Sequence, residues 1–91
     1  MIYTLKFTDQ ALKEIGNLKK SDKNAYSKLV KLLLELGDHP YTGTGKPKKL
    51  TADLLGYYSR RITKKHRLVY TVYDQKISVL IVRVEGHYND K

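Results

Sequence analysis

Cysteine is absent from this chain, so no disulfide can staple it and no thiolate can hold a metal ion. Long apolar runs are missing too: Leu32-Leu33-Leu34 falls far short of the ~20 apolar residues that span a bilayer. Nor do the first residues follow the charged-then-apolar layout of a signal peptide, so a cytoplasmic location without membrane contact is expected. His39, His66 and His87 lack close metal-ligand spacing, and neither a structural metal nor a cofactor is expected. Acidic residues are scarce as well, nine Asp+Glu facing eighteen Lys+Arg for a formal net charge of +9.

The positive charge is concentrated. Between Thr42 and Tyr73 lie Lys46, Lys48, Lys49, Arg60, Arg61, Lys64, Lys65 and Arg67, against Asp53 alone. Such a field raises the local concentration of polyanions, which points to nucleic acid or an acidic protein as partner. A lysine-rich solubilising surface is the plain alternative. With 91 residues there is room for a single domain, residues 1–91, whose core is thin because a chain this short buries only roughly 60–65% of its unfolded surface.

Hydrophobic periodicity divides the chain into elements. Ile2 to Phe7 alternates, with Tyr3, Leu5 and Phe7 on one face, and predicts a first strand. Thr8 then reads as a helix N-cap ahead of Ala11, Leu12, Ile15 and Leu18 at helical spacing. Ser21-Asp22 restarts the pattern, and Ala25, Tyr26, Leu29, Val30, Leu33 and Leu36 form a second stripe ending at a capping Gly37. Residues 38–56, rich in Gly, Pro and Lys, predict a long loop anchored by Leu50, Leu54 and Leu55. Strands are expected at Tyr57 to Thr63, Arg67 to Tyr73 and Lys76 to Val84, joined by tight turns at Lys64-Lys65 and Asp74-Gln75. The order β-α-α-β-β-β predicts an α+β fold, a twisted and mainly antiparallel sheet with the helix hairpin on one face and the other face free for ligand.

The loop Gly43-Thr44-Gly45-Lys46-Pro47 is not a Walker phosphate loop, since Pro47 stands where the hydroxyl residue is required. Taken with Leu50, Leu54-Leu55-Gly56, Ser59-Arg60-Arg61-Ile62, His66-Arg67-Leu68-Val69-Tyr70 and the terminal His87-Tyr88, it resembles the Txe/YoeB toxins of the RelE/ParE superfamily. The resemblance implies a RelE-like fold and a toxin neutralised by a cognate antitoxin. It also implies a metal-independent endoribonuclease that cleaves messenger RNA in the ribosomal A site, with ribosome and mRNA as further partners. By the same resemblance Arg67 corresponds to the catalytic arginine, His87 to the general acid, Tyr88 to the stacking or transition-state tyrosine and Arg61 to a phosphate contact. Lys46, Lys49, Arg60, Lys64 and Lys65 complete the expected RNA-binding set. Two non-nuclease readings stand beside it: a ParE-like inhibitor of DNA gyrase and a non-catalytic RNA-binding domain. A homodimer is compatible with any of the three.

One position departs from the family pattern. Where the family carries a carboxylate two residues after the lysine of G-K-P, this chain has Lys48, and Glu85-Gly86 lengthen the approach to His87-Tyr88. Cleavage by the 2′-hydroxyl needs a base, an acid for the leaving 5′-oxygen and cations for the charged transition state. His87 suits proton transfer near neutrality. The base is open: Lys48 or Lys49, with a pKa lowered by cationic neighbours, His87 itself, or Glu85. Whether Arg61 and Arg67 share a face depends on hairpin register, since a three-residue turn pairs them directly and a two-residue turn does not.

Overall fold

The computed structural model describes residues 2–43, 48–49 and 56–85, leaving aside the side chains of Lys48, Lys49 and Glu85. Its elements are β1 (Thr4–Phe7), α1 (Asp9–Ser21), α2 (Lys23–Asp38), β2 (Lys48–Lys49), β3 (Tyr58–Arg61), β4 (Arg67–Tyr73) and β5 (Ser78–Glu85). The five strands form one sheet in the order β1-β5-β4-β3-β2. Its pairings are antiparallel except for β1, which runs parallel to β5. The helical connection from β1 makes that pairing feasible, because a parallel neighbour needs a long crossover. The expected α+β fold and mainly antiparallel sheet are therefore observed, with one strand more than expected, since β2 lies within residues 38–56, where the sequence predicts a loop.

Helix α1 begins at the predicted Thr8 cap, and α2 at the Asp22 cap, where the pattern restarts. Thr8 Oγ1 accepts the Ala11 N–H at 3.0 Å, and Asp22 Oδ1 accepts that of Ala25 at 3.0 Å. Gly37 is not the terminator it was expected to be. Helix α2 continues to Asp38, and the His39 N–H closes it on the Glu35 carbonyl at 2.8 Å. Gly37 is buried instead, and its carbonyl receives the N–H groups of Ile2 and Tyr3 at 3.0 and 2.8 Å, tying the N-terminus to the end of α2.

Ala11 and Leu18 of α1 and Ala25, Leu29, Leu32 and Leu36 of α2 pack with Leu68, Tyr70, Val79, Ile81 and Val84 of the sheet. Each fully buried leucine contributes ~1.5–3 kcal/mol. A bulge keeps β5 on this core: Val69 pairs with Arg83 but Tyr70 with Ile81, so Val82 is the extra residue. That shift lets both Ile81 and Val84 reach the helices.

The two turns depart from their expected lengths. Arg61 pairs with Arg67 and the Ile62 N–H bonds the His66 carbonyl at 2.9 Å, so the three-residue register is the one adopted. Thr63 Oγ1 stabilises it by accepting the N–H groups of Lys65 and His66 at 3.1 and 3.2 Å. Between β4 and β5, Tyr73 pairs with Ser78, so the turn spans residues 74–77 rather than Asp74-Gln75. Without the glycine that a two-residue hairpin requires, Asp74–Lys76 form one 3-10 turn and Ile77 closes it in the left-handed region at φ 48°.

Candidate nucleic-acid interface

Residues directly opposite across a sheet share a face. The core side of the sheet carries the row Arg60–Leu68–Val84, and the opposite side carries Arg61–Arg67–Glu85 and Ser59–Val69–Arg83, with Lys48 in register beside Ser59. Three of the predicted residues, Lys48, Arg61 and Arg67, therefore occupy positions on one face, away from the helices. Lys49 does not: its register partner is Tyr58, which lies in line with the buried Tyr70. Lys64 and Lys65 are exposed at the tip of the β3–β4 turn, beside the arginine pair. Lys46, His87 and Tyr88 lie outside the described residues.

Arg61 is exposed and Arg67 half-buried. Directly opposite residues bring their Cβ atoms within ~4.5–5.5 Å, and like charges so placed repel. An anion between two such guanidiniums would relieve that repulsion and could be gripped by both in forked hydrogen bonds. Arg61 also borders a cleft of about 500 Å³ lined by Lys28, Lys31, Leu32, Glu35 and Ile62. The positive surface thus continues onto α2, through two lysines that sequence reasoning did not single out. Their signal was present, since residues 28, 31, 32 and 35 lie at helical spacing on one face of α2.

Arg60 corrects the predicted RNA-binding set. It is fully buried, and its Nε donates to Tyr70 Oη at 3.1 Å, its Nη1 meets Glu35 Oε1 at 3.4 Å and its Nη2 donates to the His39 carbonyl. The Tyr70 hydroxyl in turn donates to the Pro40 carbonyl at 2.9 Å. Strand alternation is the cause: next to an outward Arg61, residue 60 has to face the helices. This network fastens the chain leaving α2 to the middle of the sheet. Burial raises the Tyr70 pKa, against the opposing pull of the Arg60 charge.

Beyond it, the Tyr58 ring stacks on Tyr70 at 5.7 Å and meets Tyr41 edge-on at 5.5 Å. Tyr3 and Tyr41 both donate to the Asp74 carboxylate, at 3.0 and 2.7 Å, and that hydrogen bond is the main reason their hydroxyl pKa values are raised. These tyrosines tie elements together. His66 has a structural setting too, its Nε2 lying 3.8 Å from Oδ2 of Asp22, the α2 cap.

A five-stranded sheet with two helices on one face and register-paired arginines on the other defines a small basic α+β protein. Residues 7–88 match the family model described as YoeB-like toxin of bacterial type II toxin-antitoxin system. Toxin YoeB of Escherichia coli K12 is 42% identical over 69 residues, 76% of this chain and 80% of that protein. The YoeB dimer from Staphylococcus aureus superposes with a TM-score of 0.83 at 37% identity, covering 97% of this chain and 100% of that one. The toxin in the heterotetrameric YoeB-YefM toxin-antitoxin complex from the same organism gives 0.81 at 38% identity, over 94% and 98% of the two chains. This chain belongs to the YoeB-like toxin family of bacterial type II toxin–antitoxin systems.

Proposed function

We propose that the protein is a ribosome-dependent endoribonuclease that cuts messenger RNA in the A site by attack of a 2′-hydroxyl on the adjacent phosphate. The observation that carries this reading is the direct pairing of Arg61 with Arg67 on the face away from the helices. Attack at phosphorus forms a 2′,3′-cyclic phosphate and expels the 5′-oxygen, while negative charge builds on the non-bridging oxygens. Two adjacent guanidiniums counter that charge without further reorganisation. His87 would protonate the leaving oxygen and Tyr88 would stack on a base.

For the base, register favours Glu85. It sits opposite Arg67 and continues the arginine row, whereas Lys48 belongs to the next row along the strands. A carboxylate at that position supplies what Lys48 lacks, and Lys48 then serves as a further cation for the RNA backbone. The antitoxin partner is an acidic segment that covers this face, in keeping with the YoeB-YefM complex, and self-association in keeping with the YoeB dimer.

Purified ribosomes programmed with a defined mRNA test the proposal, with 5′-end mapping of the products. Cleavage by the wild type, abolished in Arg67→Ala and His87→Ala, is the expected result. In the same assay Glu85→Gln should lower the rate by about a hundredfold, within the range for a lost general base, and Lys48→Glu should leave Glu85 in its role. Absence of ribosome-dependent cleavage would sink the reading, and inhibition of gyrase supercoiling would replace it.

A further inference from the structure

Strand β5 outruns its neighbour on one side. Strand β1 ends at Phe7, opposite Ile81, and the chain turns into α1 while β5 continues to Glu85. The edge of β5 beyond Ile81 would present bare backbone groups, yet side chains of α1 and its cap take the place of a strand. The Thr8 N–H still reaches the Ile81 carbonyl at 3.0 Å. Thr8 Oγ1 donates to the Val82 carbonyl at 2.8 Å, and Glu14 Oε1 accepts the Val84 N–H at 2.7 Å. The other Glu14 oxygen accepts from Arg83 Nη2 at 2.9 Å and from Gln10 Nε2 at 2.8 Å.

A carboxylate with three donors from two elements is an expensive group to place on a helix surface. Its position marks it further: Glu14 lies between Ala11 and Leu18 at spacings of three and four, on the buried stripe of α1, where an apolar residue would be the ordinary choice. Its hydrogen bond falls on the residue just before Glu85, the position in register with Arg67.

We propose that Glu14 is a positioning residue, its carboxylate standing in for the missing strand partner of β5 at Val84 and so fixing Glu85 beside Arg67 and the point from which the chain continues to His87 and Tyr88. The positioning role in catalysis rests on the endoribonuclease reading. The clamp itself does not.

Two conservative variants separate reach from charge. Glu14→Asp keeps the charge but withdraws the oxygens by one methylene, whereas Glu14→Gln keeps a carbonyl oxygen at the same reach and loses the charge. Amide hydrogen exchange by NMR, with ribosome-dependent cleavage measured alongside, provides the readouts. Glu14→Asp is expected to speed Val84 exchange about tenfold, the worth of one charge-assisted hydrogen bond, to shift the His87 and Tyr88 resonances, and to lower kcat with KM unchanged. Leu68 and Tyr70 amides should keep their protection, and Glu14→Gln should recover most of both properties. Unchanged Val84 exchange and unchanged His87 resonances in Glu14→Asp would overturn the clamp. Altered exchange with full kcat would overturn its catalytic part. An inactive wild type would instead refute the nuclease reading, and the exchange data would still decide the clamp.

Discussion

Arg60 and Arg61 show how far two identical neighbours can diverge once a strand sorts them to opposite faces. Replacing Arg60 with methionine removes a donor to the Glu35 carboxylate, which is 30% exposed, and to the Tyr70 hydroxyl, and leaves the His39 carbonyl without this bond. Loss of these hydrogen bonds from a fully buried guanidinium should cost ~1–3 kcal/mol, so Arg60→Met should lower the urea midpoint. Arg61→Ala should leave that midpoint within about 0.5 kcal/mol of wild type, as for exposed positions generally, and weaken RNA binding. Glu14 makes a pH prediction. Burial raises its pKa, but the bonds from Gln10, Val84 and Arg83 outweigh burial and leave it below the ordinary carboxylate value. Its contribution to stability is therefore complete above the unfolded-state pKa and lost as pH falls through the lowered folded one. The melting-temperature gap between wild type and Glu14→Gln should be largest near pH 7 and shrink in strong acid.

At the scale of elements, the turns hold the strain. Ile77 is β-branched, half exposed and left-handed, an arrangement that costs ~1–2 kcal/mol relative to ordinary backbone. Asparagine tolerates that conformation better, so Ile77→Asn should stabilise the protein by about 0.5–1 kcal/mol in chemical denaturation. Gly43 argues the other way. Its φ of 114° suits glycine alone, and a Cβ there would lie 2.8 Å from the Glu35 carboxylate. Gly43→Ala should destabilise by ~1–3 kcal/mol and disturb the Glu35–Arg60 pair, read as loss of the denaturation midpoint. On the proposed endoribonuclease reading, the β3–β4 turn sets the arginine pair. One residue fewer between Arg61 and Arg67 would put Arg67 opposite Ile62 or shift the arginines out of line.

For the whole molecule, two helices on one face leave the other to carry charge, so on the proposed endoribonuclease reading the partner of that face is a polyanion and its binding should be governed by counterions. Each RNA phosphate contact removed should flatten the dependence of log K on log salt by about 0.7 for a single strand. Anisotropy titrations of a short RNA across KCl concentrations should show that change for Arg61→Ala and Arg67→Ala, and little change for Lys20→Ala on the helix side. Among the described residues no helix is long and apolar enough to cross a membrane. The sequence by itself determined both helices, four of the five strands, the Thr8 cap, the α+β order and the family, because these follow from local periodicity, capping chemistry and ordered motifs, whereas β2 lies in a stretch without sustained period. Tertiary structure alone decided which charges serve which purpose. It buried Arg60, paired Arg61 with Arg67 through a three-residue turn, put Lys48 in register with Ser59 and Lys49 with Tyr58, and brought Glu14 to an edge 70 residues away. Register and the partner across a sheet are long-range quantities, and a one-residue shift reverses every face, so no local pattern could have assigned them.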